Sequence, residues 1–133
     1  MNVAFIAAGI LALTAAAIHG GLGEKIVVTK LRRETLPTSK FGGSSMTLLM
    51  IRVTWHITTL AFLVLGSALL VCSPGAPGDA CEGIGRLSSI SFASFFLLAA
   101  ALAAPNIRRT VRRHPAPLVF LTVAVLSWVG AGR

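Results

Sequence analysis

Charge is scarce in this chain: only 12% of its 133 residues are Asp, Glu, Lys or Arg, where soluble domains carry about 25%. Acidic residues are rarer still, four against twelve basic ones. No segment alternates apolar and polar residues as a half-buried strand would, so a sheet or barrel is excluded as the main architecture. No Ser–His–Asp set, phosphate-cradling glycine loop or pair of carboxylates within an apolar stretch is present, which removes the common bases for catalysis. Basic residues are not interleaved with aromatics, and no nucleic-acid motif occurs, so the net charge of +8 does not point to DNA or RNA. There are only two cysteines, and their spacing lacks the Cys-x-x-Cys geometry of a redox-active pair.

What is present is apolar. Hydrophobic residues make up 55% of the chain, gathered in four stretches of about 3–23, 47–71, 87–104 and 117–130. A span needs roughly 20 apolar residues to cross about 30 Å of hydrocarbon, and a helix satisfies its own backbone groups in lipid. The sequence therefore predicts an all-α integral membrane four-helix bundle, a single transmembrane domain over residues 1–133 with no room for a soluble one. The fourth stretch is short and opens at Pro117, a residue suited to the first turn of a helix; a full span is expected there.

The positive charges orient the bundle. Lys25, Lys30, Arg32, Arg33 and Lys40 follow the first stretch, Arg52 lies just inside the second, and Arg108, Arg109, Arg112 and Arg113 follow the third. Only Arg86 and Arg133 fall on the other side. Lys and Arg are retained in the cytoplasm, so the two basic loops are expected inside a bacterial inner membrane, with both termini outside. Arg108, Arg109, Arg112 and Arg113 are expected to meet anionic lipid head groups. Met1 and Asn2 place no positive charge ahead of the first stretch, unlike a signal peptide. A retained first helix is expected.

The loop expected to face outward, Cys72 to Arg86, holds both cysteines, and Pro74, Gly75, Pro77 and Gly78 let it turn back. A Cys72–Cys81 disulfide is expected on that oxidising side. Ala4, Ala8, Ala12, Ala16 and Gly20 recur every fourth residue and form one small-residue face. Such faces let membrane helices approach closely. The face is expected to be a seam against the second helix, with a protein partner or self-association through Ala4–Gly20 as the alternative. Ile26 to Arg33 is expected to extend as a surface helix, and Ser88, Ser89, Ser91 and Ser94 to bond between helices.

Ionisable residues inside lipid are costly and mark a site. Here they are His19 and Glu24 at the end of the first stretch, and Arg52 and His56 near the start of the second, with Thr59 extending the same face. Arg52 and His56 are four apart and share a helix face, from which Trp55 is expected to point away. His19 and Glu24 are five apart, so they share a face only if the Gly20, Gly21 and Gly23 backbone departs from an ideal helix. Four uses follow from these residue types. The cluster is an interhelical lock, with Glu24 or a carbonyl holding Arg52, unless Arg52 snorkels to phosphate. It is a bis-histidine haem b site, with His19 and His56 as axial ligands and Arg52 near a propionate. It is a transition-metal site of His19, His56 and Glu24. Or it binds a proton, an anion or a quinone-like ligand, in sensing or in proton-coupled or anion transport. The leading expectation is a non-enzymatic membrane protein whose cluster serves packing, small-ligand binding or partner assembly; haem or metal redox and small-solute transport are the alternatives.

His19-Gly20-Gly21-Leu22-Gly23-Glu24 and Trp55-His56-Ile57-Thr58 resemble the His-x-x-x-Gly-Glu and Trp-His-x-Thr segments of a group of small bacterial four-span inner-membrane proteins. The resemblance covers the first two stretches. It implies that these residues form one site and implies no reaction. The chain also has the size of the small multidrug transporters, but Ala12, Leu13 and Thr14 stand where those carry an embedded Glu.

Overall fold

The computed structural model describes residues 1–38, 40, 42–75, 78–104 and 114–132. Helix α1 spans Val3–Ala17 and continues without a break into a π-helical turn, Ile18–Gly23, and one α-helical turn, Glu24–Ile26. Helix α2 is Gly43–Val71, α3 is Asp79–Ala103 and α4 is Ala116–Ala131. No strand occurs among the described residues.

Local chemistry sets the boundaries. The Asn2 side chain caps α1 by accepting from the Phe5 amide at 3.2 Å, which satisfies one of the orphan donors of a first turn. Gly42 and Gly43 turn the chain into α2 at φ of 143° and 67°, a region that favours glycine. Asp79 and Glu82 lie in the first turn of α3, where negative charge suits the helix dipole, and Glu82 pairs with Arg86 one turn on. This moves the start of α3 well before the expected Leu87. The connection after α2 shortens to Cys72–Gly78, and Cys72 and Cys81 are joined across it by a disulfide with a Cα–Cα distance of 5.5 Å. Acidic residues and Gly83 hide that turn from a hydropathy reading, yet they suit an amphipathic helix start.

The surface helix expected over Ile26 to Arg33 is instead a series of short turns, 3-10 at Val28–Lys30 and again at Arg33–Thr35. Val28 is the residue it buries, while Ile26 and Val27 are half exposed. Three segments, Val3–Lys30, α2 and α3, are long and apolar enough to cross a membrane by length and composition; the fourth, Ala116–Ala131, is a shorter apolar helix. At about 1.5 Å per residue, its 16 residues reach about 24 Å, short of the roughly 30 Å of a hydrocarbon core. Arg108, Arg109, Arg112 and Arg113 lie outside the described residues.

Helix α1 is the centre of the bundle. It packs on α2 along one side and on α4 along the other; α4 in turn packs on α3, and α2 meets α3 only lightly. Ala4, Ala8, Ala12 and Ala16 are all buried, so the small-residue face is filled from within the chain. A Cβ on Gly9 would stand 2.9 Å from the Gly66 carbonyl oxygen, and one on Gly66 3.0 Å from the Ala12 Cβ. The α1 and α2 backbones therefore approach as closely as small residues permit, which is what drives association when lipid supplies no hydrophobic effect. At the other helices Phe62, Phe92, Phe95 and Phe120 form a cluster with ring centroids 5.3–6.2 Å apart, in the offset and edge geometries that aromatic quadrupoles prefer.

The serines of α3 do not bridge helices as expected. Ser94 donates to the Ile90 carbonyl of its own helix at 2.9 Å. Ser88 is fully buried with an unpartnered hydroxyl.

Candidate functional site

The π-helical turn is the local device that builds the site. A π turn closes its hydrogen bonds one residue further than an α turn and is found mostly as single turns at functional positions. Here it carries His19-Gly20-Gly21-Leu22-Gly23, and Glu24 starts the next turn. The glycine segment is thus widened rather than unwound. Two of its glycines are required by what faces them on α2. A Cβ on Gly20 would lie 2.6 Å from the Thr59 Cγ2, and one on Gly23 2.5 Å from the Trp55 Cζ2. Gly21 faces open space.

The absence of side chains at Gly20 and Gly23 lets Trp55 lie across the turn. Its indole stacks on the His19 ring, centroids 4.1 Å apart and planes 12° from parallel. The indole Nε1–H donates to the His19 carbonyl oxygen at 3.0 Å. Stack and hydrogen bond together fix His19 in position. Trp55 therefore belongs to the site, contrary to the expectation that it points away. The Trp55-His56 dipeptide in the second stretch and the glycine-rich segment that ends the first were the available signal. Its use depended on the π turn, which no periodicity reveals. Thr59 closes the same face, its hydroxyl donating to the Trp55 carbonyl at 3.2 Å.

The five expected residues divide into two places. His19 lies on the inner side, tilted against Phe62 at 5.7 Å between centroids. It lines a cavity of about 290 Å³ with Leu11, Thr14, Ala15 and Ile18 of the first helical segment and Phe62 of α2. His114, Pro115, Ala116, Val119 and Phe120 form its other wall. His114 and Thr14 are exposed at its rim, and the Thr14 hydroxyl is already spent on the Ile10 carbonyl at 2.8 Å. The His19 Nε2 is buried and has no hydrogen-bond partner. No Lys, Arg, Asp or Glu among the described residues lines this cavity.

Glu24, Arg52 and His56 lie on the outer side, in a separate open groove with Leu49, Val53, Ile57 and Leu60. The lock expected between Glu24 and Arg52 is not formed; Glu24 faces His56 instead, Oε2 to Nε2 at 3.6 Å. Arg52 is exposed and has no ion-pair partner among the described residues. Glu24 is taken up by His56, while Arg52 lines the same groove unpaired.

This separation bears on the cofactor expectations. The His19 and His56 rings line different cavities, an arrangement that does not suit a haem held with both as axial ligands. Among the described residues no three His, Cys, Asp or Glu side chains are grouped to hold a metal ion; His56 and Glu24 face each other while His19 is engaged by Trp55. Neither a bis-histidine haem nor a His19–His56–Glu24 metal site fits these positions.

The cavity found by the structure is lined by residues that the sequence reading passed over. Phe62 and Phe120 sit in apolar stretches like any core phenylalanine, and Leu11, Ala15 and Ile18 have no polar signature. Only the three-dimensional convergence of α1, α2 and α4 distinguishes them. No protein-family model, curated protein or solved structure matches this chain.

Proposed function

We propose that this is a four-helix protein of the bacterial inner membrane that binds, without chemical conversion, a small neutral lipophilic ligand of quinone-like character in the His19 cavity. The observation that carries this reading is the buried, unpartnered Nε2 of His19, a residue that lines a mainly apolar cavity whose other polar side chains, Thr14 and His114, are exposed. Ligand sites are typically apolar pockets of about 300–1,000 Å³ with a few placed polar groups; about 290 Å³ suits a single ring system. A carbonyl or hydroxyl on such a ring would give the His19 Nε2 its partner, and Phe62 and Phe120 offer aromatic faces to the rest. Arg52 lines the other groove, so its fixed positive charge does not face this cavity.

The membrane setting is supported by the surface. Val64, Leu97 and Leu102 are 65%, 63% and 78% exposed, an outer coat that water would not favour. The charge asymmetry of the sequence supports basic loops inside and both termini outside. Ile18 and Ala116, which line the cavity, are exposed, and on the membrane reading a lipophilic molecule would reach them from the bilayer.

The test uses Trp55 as reporter. In a Trp128→Phe background Trp55 is the remaining tryptophan. Titration with a short-chain benzoquinone in detergent micelles is expected to quench it saturably, with affinity reduced at least tenfold by His19→Ala and by the cavity-filling Val119→Trp measured by calorimetry. Quenching that never saturates, or that is unchanged in both variants, rejects the reading. Extraction and mass spectrometry of gently purified protein identifies the native occupant.

A further inference from the structure

The outer groove poses a different problem from the cavity. Helix α2 has 29 residues, of which only Leu48, Phe62, Gly66 and Leu69 are buried, because it packs on α1 and barely on α3. Its outward side carries Met46, Leu49, Val53, His56, Leu60 and Leu63, at steps alternating between three and four. Met46 and the other apolar members are 37–57% exposed. That is the spacing at which two helices interlock along a seam. Charge sits within it: Arg52 is exposed without an acidic partner among the described residues, the His56 side chain is 54% exposed, and Glu24 keeps 27% of its side chain open.

On the membrane reading above, these groups would face acyl chains at a level where ionised side chains take a partner. The groove carries both signs, one acid and one permanent base per chain. An anionic head group drawn by Arg52 would meet Glu24 in the same groove. A second copy of the chain meets no such conflict, because a two-fold interface presents the same patch twice and is satisfied when the patch is self-complementary. The small-residue face of α1 does not serve this purpose, since its alanines are already buried within the chain.

We propose that this protein is a homodimer in the membrane, with α2 packed in parallel against α2 of a second copy about a two-fold axis along the bilayer normal. Glu24 of each copy then pairs with Arg52 of the other. Leu49, Val53, Leu60 and Leu63 interlock above and below, and His56 lies at the centre of the seam. A polar residue at such a seam position fixes register and pairing at some cost in stability.

No free cysteine is present, so single cysteines report the interface. In native membranes, Val53→Cys and Leu60→Cys are expected to form disulfide-linked dimers on mild oxidation, whereas Thr54→Cys, exposed on another side of α2, stays monomeric. Arg52→Glu in the Leu60→Cys background is expected to cut the cross-linked fraction at least fivefold, and adding Glu24→Arg to restore it. Equal cross-linking at Thr54, or none at Val53 and Leu60, overturns the proposal. So does a double exchange that fails to restore the dimer while Arg52→Gln strips phosphatidylglycerol from the purified protein, which identifies a head-group site instead. The Trp55 titration separates the two proposals: dimer-breaking variants keep quinone quenching if the cavity reading is right, and His19→Ala leaves the cross-links intact.

Discussion

The two ends of α1 are built on opposite plans. At the amino-terminal end the inward-facing residues are closely packed. Phe5 is fully buried in a seat formed by Gly85 of α3 and Gly130 and Ala131 of α4. Asn2 ties three segments together: its amide donates to the Ser73 carbonyl at 2.7 Å and its side chain to the Gly130 carbonyl at 2.8 Å. The Cys72–Cys81 disulfide lies beside this knot. At the other end the helix widens into a π turn, a cavity opens, and His19 and Glu24 each keep a buried polar atom without a hydrogen-bond partner. The difference teaches where the molecule spends its rigidity. One end is an anchor, tight enough to tolerate the unpartnered buried hydroxyls of Ser88 and Ser127, and the other keeps open space beside its unpartnered groups, a division common where stability and binding compete.

The contrast can be broken most severely at the anchor. Phe5→Ala is expected to lower stability by about 3 kcal/mol, the low end for emptying a buried aromatic site, as read by thermal unfolding in detergent. Phe120→Ala, at the half-open cavity wall, is expected to cost clearly less. Equal losses would mean that the two ends are packed alike.

Removing the disulfide with Cys72→Ser and Cys81→Ser together is expected to cost about 2–3 kcal/mol, from loop-closure entropy for a bridge spanning nine positions. The same shift should appear on adding reductant to the parent protein and vanish in the double variant. Quinone affinity is expected to stay within twofold, since the bridge lies at the far end from the cavity.

Within the π turn, neighbouring glycines sharpen the comparison further. Gly20→Ala places a methyl against the branched and therefore stiff Thr59 and is expected to cost about 1–3 kcal/mol, the range for overpacking. Gly21→Ala meets nothing within 4 Å and is expected to be neutral or to gain up to about 1 kcal/mol from helix propensity. Paired thermal scans decide between a seam that senses every added methyl and one with slack. A modest loss belongs to Trp55→Phe, which keeps an aromatic face on His19 but removes the indole donor. It is expected to cost about 1 kcal/mol, with quinone binding by calorimetry weakened two- to threefold because the imidazole is less firmly held.

Much of the architecture was legible before the fold was known. Leu60 to Val71 has no polar side to show to water, and Ala4 to Ala16 repeats at helical spacing, so helices and a close α1 seam followed from composition and period. Cys72 and Cys81 flank a Pro–Gly run that returns the chain on itself, and the structure joins them. Asp79 to Arg86 misled because polar residues in an early helical turn resemble a loop to any hydropathy count. The site was legible as a list but not as an arrangement. His19, Glu24, Arg52, His56 and Thr59 do gather at one end of α1 and α2, yet on two sides of the seam, and Trp55 replaced His56 as the group facing His19.

The sequence by itself determined the apolar helices, the small-residue seam and the lopsided charge, because these depend on residue type and spacing along one chain. The tertiary structure alone decided which imidazole turns inward, that Glu24 reaches His56 rather than Arg52, and that a cavity exists at all. Those outcomes depend on the angular offset of a single π turn and on how three helices converge, and neither leaves a periodic trace in the order of residues.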